Sequence, residues 1–270
     1  MKKESVIVVK FGGTSVSTKS NIQTIVNVVK KEKKIHDVIL VVSALSKVTD
    51  LLLLTASGEK DSIISIKEKH YSLITDLWQD QEVRKKLFDF VDECLDSVLT
   101  ICKKKISDKK LLDKVVSFGE IISSKIIATY LSSVGVLAEQ VVASKIIVTD
   151  NHFGSAEFLP KATKNNAEKI LWPLINKHIV PVVTGFIGAT EKGEITTLGR
   201  GGSDYTASIL GFSLNASEVQ IWTDVNGIFT ADPRFVKKAL PISEISYQEA
   251  SEMAFLGARV LHPRTIKPAV

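Results

Sequence analysis

The sequence has few cysteines and no long apolar run, and both absences exclude classes of protein. Cys94 and Cys102 are its two cysteines, and they lie in a stretch with helical periodicity. Two cysteines do not make a disulfide framework, which small secreted domains need. No apolar run comes near the length of a membrane span, and Lys10 interrupts the first apolar segment, so no signal peptide is expected. We therefore expect a reduced, cytoplasmic protein with no membrane partner.

A strong excess of one charge is also missing. The formal net charge is +5 over 270 residues. Lysines cluster at 30–34 and 102–110, but acidic and apolar residues are mixed with them, which favours a solvated helix face over a nucleic-acid surface. We expect no nucleic-acid partner. The positive surplus would suit an anionic small molecule.

The sequence does contain an alternation of apolar strands and amphipathic helices. Residues 6–9 predict a buried strand, residues 22–29 have helical spacing, and residues 37–44 predict a second buried strand. Strand, helix and strand at this spacing predict a parallel sheet with helices on both faces. The expected fold class is α/β, a three-layer αβα sandwich around a mainly parallel sheet.

Later segments extend this pattern. Residues 60–105 have only helical periodicity and predict a helical excursion inserted into the sheet. Further buried strands are expected at 179–186 and 218–224, with a helix that begins near Ser203 between them. Ser246 followed by Glu249 predicts the capping box of another helix. No linker stands out, so we expect one α/β unit of one or two lobes.

Four polar, glycine-containing or hydroxyl-rich motifs follow predicted strands. They are KFGGTS (10–15), SALSKVTD (43–50), TTLGRGGSD (196–204) and WTDVNGIFTADPR (222–234). Ligands of open parallel sheets bind beyond the carboxyl ends of the strands. Each motif alone is compatible with an ordinary turn, but four in one chain favour a shared binding site.

The first motif suits an anion. Gly12 and Gly13 can present consecutive backbone N–H groups, the following helix can add its positive end, and Lys10 can reach the same anion. A plain strand-to-helix turn with a solvated lysine explains these residues equally well. The chain contains no GxxxxGK[ST] motif, which excludes a P-loop of that kind.

The third motif is not a dinucleotide fingerprint. Gly199 and Gly201 match its first two glycines, but Asp204 stands in place of the third. Gly201 and Gly202 remain as backbone donors, and the planar fork of Arg200 suits a carboxylate or phosphate. Asp204 by itself is more typical of a first-turn helix cap.

The remaining candidates are a buried acid and a polar loop. Glu120 lies in an apolar helical stretch, where burial is costly without a partner; a ligand amine and a protein lysine are both suitable. Thr223 and Asp224 follow a predicted strand, and Arg234 suits a polyphosphate. A hairpin with a surface arginine is the alternative for this loop.

Five motifs in this order, VVKFGGTSV, SFGE, TTLGRGGSDYTA, WTDVNGIFTADPR and GARVLHP, resemble the catalytic domain of aspartate kinases in the amino acid kinase superfamily. The resemblance runs from about Val6 to the last residue, and the monofunctional lysine-sensitive type looks most similar. It implies an amino acid kinase catalytic domain over 1–270, with an aspartate-binding lobe at 1–195 and a nucleotide-binding lobe at 196–270.

The resemblance also implies a reaction and a set of residues. The γ-phosphoryl group of MgATP passes to the β-carboxylate of L-aspartate, which gives 4-phospho-L-aspartate and ADP, the first step of lysine, threonine and methionine synthesis. The implied ligands are ATP, Mg²⁺ and L-aspartate, no metal-ligating residue is assigned, and a homodimer is left open. The implied catalytic residues are Lys10 and Asp204. The implied substrate-binding residues are Thr49, Glu120, Arg200, Gly201, Gly202 and Ser203. The implied nucleotide-binding residues are Lys10, Gly12, Gly13, Thr223, Asp224, Phe229, Arg234 and Arg259.

The sequence departs from the family at several places. Phe229 stands where the family often has tyrosine, and Arg259 where it often has lysine, so nucleotide affinity is in question. Nothing in the chain resembles the paired ACT regulatory domains of the family, and we expect either a truncated or an unregulated form. Two alternatives stay open: a related kinase that phosphorylates another carboxylate, and a non-catalytic module that binds nucleotide or amino acid.

Overall fold

The fold begins with two parallel strands joined by a helix, as predicted. The computed structural model describes residues 5–59, 61–223, 227–232, 235–255 and 263–269. Strand β1 (Val6–Phe11), helix α1 (Lys19–Glu32) and strand β2 (Asp37–Val42) follow one another. β1 pairs with β2 in parallel. The predicted βαβ unit is confirmed.

The predicted helical excursion is also present, and it begins earlier than expected. It contains α2 (Val48–Ala56), α3 (Ser62–Leu77), α4 (Gln81–Ile101) and α5 (Lys109–Ser133). The remaining elements are β3 (Ala138–Val141), β4 (Val148–Thr149), α6 (Pro160–Asn176), β5 (Val180–Thr184), β6 (Ile187–Thr190), β7 (Ile195–Thr197), α7 (Gly202–Leu214), β8 (Glu218–Trp222), α8 (Tyr247–Phe255) and α9 (Pro263–Ile266).

The central sheet is parallel throughout the described residues. Its five strands lie in the order β3-β5-β2-β1-β8, and every neighbouring pair is parallel. Along β1, Ile7 and Val9 belong to a core that α1 to α5 cover, whereas Val6 and Val8 belong to a core that α6 and α7 cover. Helices therefore cover both faces, and the expected three-layer α/β fold is confirmed.

A small second sheet lies beside the first and was not predicted. β4 is parallel to β6, and β6 is antiparallel to β7. These strands have only two to four residues each, too few for an alternation of apolar and polar residues to appear. The sheet matters for the site because β7 ends at Thr197, directly before the glycine-rich motif.

Helix α5 bears on the expectation that no apolar run comes near the length of a membrane span. Among the described residues, α5 is long and apolar enough to cross a membrane, judged by its length and composition only. In the fold, 72% of its apolar window is buried inside the protein, and it packs against α4 and β5. A core helix of a globular domain has the same length and composition.

The predicted capping box is confirmed before α8. The backbone N–H of Glu249 donates to Ser246 Oγ at 3.2 Å, and the backbone N–H of Ser246 donates to Glu249 Oε2 at 2.9 Å. The two residues satisfy each other's backbone donors at the start of the helix.

We predict that Gly119→Ala destabilises the fold. A Cβ at Gly119 on α5 would lie 2.9 Å from Ala44 Cβ and 3.3 Å from Val48 Cγ1. Overpacking of this kind costs roughly 1–3 kcal/mol, which should outweigh the roughly 1 kcal/mol by which alanine favours a helix over glycine. Urea unfolding should therefore give a lower free energy of unfolding. Thr100→Ala, on the exposed face of α4, is the control and should not lower it. Unchanged stability in Gly119→Ala would contradict the close packing of α5 on residue 44.

Candidate active site

Three of the four polar motifs meet in one cavity. The cavity has a volume of about 410 Å³, and its lining comes from segments 10–13, 43–50 and 199–204, together with Glu120 and Phe186. The first segment contains the carboxyl end of β1, the second follows β2, and the third leads into α7. The cavity therefore lies where ligands of open α/β sheets bind.

A buried ion pair joins the central sheet to α7. Lys10 is the second-last residue of β1, and only 8% of it is exposed. Its ammonium pairs with the carboxylate of Asp204 in the first turn of α7. A buried ammonium needs such a partner. Gly201 holds the N-cap position of α7, and Asp204 lies in the first turn as predicted, where it also pairs with Lys10.

The loops after β1 and β2 are tied together by a hydroxyl. Ser17 Oγ donates to the carbonyl oxygen of Gly13 at 2.6 Å and accepts from the backbone N–H of Ser46 at 2.8 Å. The sequence predicted that the helix following Gly12 and Gly13 would add its positive end to this loop. Instead, a single 3₁₀ turn follows, and α1 begins only at Lys19. The helices whose first turns line the cavity are α2, through Thr49 and Asp50, and α7.

Glu120 places a carboxyl group in the wall of the cavity. It is 3% exposed, and its Oε1 accepts from the backbone N–H of Ala44 at 3.3 Å. Its Oε2 is buried and accepts no hydrogen bond from any described residue. Burial raises the pKa of Glu120 from 4.5 to about 8. A cation bound in the cavity would satisfy this oxygen and favour the ionised carboxylate.

The glycine-rich turn places a cation in the lining of the same cavity. Gly199 and Gly201 have φ values of 78° and 65°, a left-handed conformation that glycine adopts without strain. These two residues let the chain reverse around Arg200, which is exposed and lines the cavity. The turn then enters α7, where Ser203 and Asp204 line the same cavity.

Phe186 supports this turn in a strained conformation. Its φ is 69°, which is unusual for a bulky residue. Its backbone N–H donates to Thr206 Oγ1 at 3.0 Å, and its carbonyl oxygen accepts from the backbone N–H of Leu198 at 2.8 Å. Strain of this kind persists where the surroundings enforce it and is frequent at functional sites.

Most of the predicted site residues that the structure describes line this cavity. They are Lys10, Gly12, Gly13, Thr49, Glu120, Arg200, Gly201, Gly202, Ser203 and Asp204. Thr223 directly follows β8, and Phe229 forms an antiparallel bridge with Pro241; neither is among the described residues of the lining. The predicted nucleotide-binding residues Asp224, Arg234 and Arg259 lie outside the described residues.

Several lining residues were not predicted. They are Ser43, Ala44, Leu45, Ser46, Lys47, Asp50, Phe186 and Gly199. The motif SALSKVTD contains six of them and was singled out, but only Thr49 was selected from it. No local sequence pattern indicates that Phe186 belongs to the site, because its role depends on hydrogen bonds of its backbone with Leu198 and Thr206.

The described carboxylates that line the cavity do not form a group of side chains that could bind a metal ion by themselves. Asp50, Glu120 and Asp204 line it, but the described residues include no group of three His, Cys, Asp or Glu side chains that could hold a metal ion. This arrangement fits Mg²⁺, which is usually bound by one or two carboxylates and by substrate phosphates.

Comparison with known proteins identifies the family. The model of the amino acid kinase family matches residues 5–270. The chain belongs to the amino acid kinase family. Among structures of this family, that of Escherichia coli aspartokinase III in complex with aspartate and ADP superimposes with a TM-score of 0.90 at 35% identity. The match covers 98% of this chain and 59% of that one.

Two further relatives with similar sequences are also aspartokinases. The chain is 37% identical to lysine-sensitive aspartokinase 3 of Escherichia coli (strain K12), over 98% of this chain and 59% of that protein. It is 34% identical to the chloroplastic aspartokinase 1 of Arabidopsis thaliana, over 97% of this chain and 48% of that protein. The chain thus spans between about half and three fifths of the length of these relatives.

We predict that Glu120 makes stability depend on pH. Its pKa of about 8 in the folded chain lies above the ordinary 4.5, so the folded state binds the proton more tightly than the unfolded state. The resulting stability is fully present below about pH 4.5 and is lost as the pH rises through about 8. Urea unfolding across this range should therefore give a steeper loss of stability for the native chain than for Glu120→Gln. Parallel pH curves for the two proteins would contradict the buried, protonated Glu120.

Proposed function

We propose that the chain carries the catalytic site of an aspartate kinase, which transfers the γ-phosphoryl group of ATP to the β-carboxylate of L-aspartate. The observation that supports this most is the cavity itself, because Glu120, Arg200 and the Lys10–Asp204 pair all line it. The similarity to aspartokinases, one of them solved with aspartate and ADP, supports the same activity.

The cavity offers a complementary group for each end of an amino acid. The free oxygen of Glu120 would accept from the ammonium group, and the planar guanidinium of Arg200 would bind the α-carboxylate. Gly201, Gly202 and Ser203 would contribute polar contacts next to Arg200, and Thr49 would contact the substrate from the first turn of α2. The β-carboxylate would then point towards Lys10.

Lys10 would stabilise the charge of the migrating phosphoryl group. The attacking carboxylate is already ionised at neutral pH, so the reaction needs no general base. Catalysis then depends on alignment and on neutralising the phosphoryl oxygens. Asp204 would hold the ammonium of Lys10 in place, and Gly12 and Gly13 would donate backbone N–H groups to the phosphates.

Mg²⁺ bound together with ATP would neutralise part of the phosphate charge. Further nucleotide contacts are proposed for Thr223, Asp224, Phe229, Arg234 and Arg259 on the strength of the motif resemblance alone. The lobe division at residues 195 and 196, sensitivity to lysine, the monofunctional type, cytoplasmic localisation and a homodimer likewise stay predictions.

Two other functions explain the site less well. A related kinase for an N-acylated acid would leave Glu120 without an ammonium partner, which its buried, unsatisfied oxygen disfavours. A module that binds ligands without catalysis would have no need for a buried Lys10–Asp204 pair next to the glycine turn.

We predict that Lys10→Ala lowers kcat for aspartyl phosphate formation by about 10²–10³-fold, since a fixed donor to the transition state is lost. Hydroxylamine trapping of the acyl phosphate, with L-aspartate and MgATP, measures the rate. Lys67→Ala is the matched control, because Lys67 also pairs with an aspartate, Asp92, at 2.8 Å, but outside the cavity. The control should retain the parental rate. Parental turnover in Lys10→Ala would refute the role of Lys10, and no aspartyl hydroxamate from the parental chain would refute the function.

A further inference from the structure

Asp113 is a buried carboxylate that the proposed reaction does not use. It lies on α5, and only 3% of it is exposed. Its Oδ2 accepts from the backbone N–H groups of Gly154 and Thr197, each at 2.8 Å. Its Oδ1 accepts from the Thr197 hydroxyl, also at 2.8 Å. Three donors from two separate segments thus converge on one side chain.

These contacts hold the strand end that leads into the glycine-rich turn. Thr197 is the last residue of β7, and Leu198 connects it to Gly199 and Arg200. On the other side, Arg264 of α9 donates to the carbonyl oxygen of Leu198 at 2.9 Å. The short segment before the turn is therefore held by the Asp113 carboxylate at the N–H and hydroxyl of Thr197, and by the Arg264 guanidinium at the carbonyl oxygen of Leu198.

The same helix also carries Glu120. Asp113 and Glu120 are seven residues apart on α5, which corresponds to two turns and about 10 Å along the axis. One end of this segment of α5 places the carboxyl group that lines the cavity, and the other holds the strand that leads to Arg200. The helix thereby sets the spacing between the two groups.

We propose that Asp113 is a positioning residue that fixes the Arg200 turn relative to Glu120, so that both ends of an amino acid are bound at once. This inference rests on the proposed function, because it assigns Glu120 and Arg200 to the ammonium and the carboxylate of one substrate. Asp113 acts through the backbone of Thr197 and does not line the cavity.

Removing the carboxylate should displace the turn. Asp113→Ala would leave two backbone N–H groups and one hydroxyl in a buried place without their acceptor, and each unsatisfied donor costs free energy until the segment moves. A shift of the turn weakens the alignment of Arg200 with the substrate carboxylate, and displacements of about 1 Å have large effects on positioned groups. The nucleotide contacts of Gly12 and Gly13 lie on another loop and should be unaffected.

The amide variant should preserve the geometry. In Asp113→Asn the side-chain oxygen can still accept from the two backbone N–H groups, while the NH₂ group donates to the Thr197 hydroxyl, which can accept. All three contacts then remain, and only the charge is lost. Rescue by asparagine separates positioning through hydrogen bonds from an electrostatic role.

The test is steady-state kinetics of Asp113→Ala and Asp113→Asn by hydroxylamine trapping. We expect Asp113→Ala to raise the KM for L-aspartate by about tenfold or more, because the buried donors lose their acceptor, with the KM for ATP within roughly twofold of the parental value. For Asp113→Asn, the KM for L-aspartate and the KM for ATP should both stay within about threefold of the parental values. Asp92→Ala is the control, because Asp92 accepts from Lys67 and Tyr71 at a distance from the cavity; it should leave both KM values unchanged.

A milder variant keeps the test decisive if Asp113→Ala does not fold. Thr197→Val removes only the hydroxyl contact to Asp113 and should raise the KM for L-aspartate alone, by roughly threefold. A parental KM for L-aspartate in folded Asp113→Ala or in Thr197→Val, or an equal rise in both KM values, would overturn the positioning role. Failure of the proposed function would look different, since the parental chain itself would then form no aspartyl hydroxamate.

Discussion

The site depends on the parallel arrangement of β1 and β2, because strands that run in the same direction end at the same edge of the sheet. Lys10 and the segment after β2 arrive at that edge together. The Lys10–Asp204 ion pair then joins this edge to the first turn of α7. Burial of the Lys10 ammonium would be costly without Asp204, so the position of α7 and the position of the cation are linked.

Helix α5 holds a second part of the cavity in place. It carries Glu120 in the cavity wall and Asp113 beneath the strand that leads to Arg200. Gly119 allows α5 to lie against Ala44, whose N–H donates to Glu120. The sheet therefore positions the groups proposed for phosphoryl transfer, whereas α5 positions the groups proposed for the amino acid.

Local signals predicted the parts of the structure that local chemistry determines. The apolar run of β1, the spacing of α1 and the Ser246–Glu249 capping box are all present, and so is the turn at Gly199 and Gly201. The short strands β4, β6 and β7 were missed, because two to four residues show no periodicity. The contacts of Asp113 with Thr197 join residues 84 positions apart, and the left-handed Phe186 depends on Leu198 and Thr206, so no short stretch of sequence reveals either.

The central claim is that one cavity binds the ammonium of a free amino acid at Glu120, which is largely protonated at neutral pH before the ligand arrives. Calorimetric titration of L-aspartate at pH 7, in two buffers with different ionisation enthalpies, measures the number of protons exchanged on binding. The account predicts release of most of one proton by the parental chain, none by Glu120→Gln, and no binding heat with N-acetyl-L-aspartate. Binding of L-aspartate without proton release, or equal binding of the acetylated compound, would contradict it.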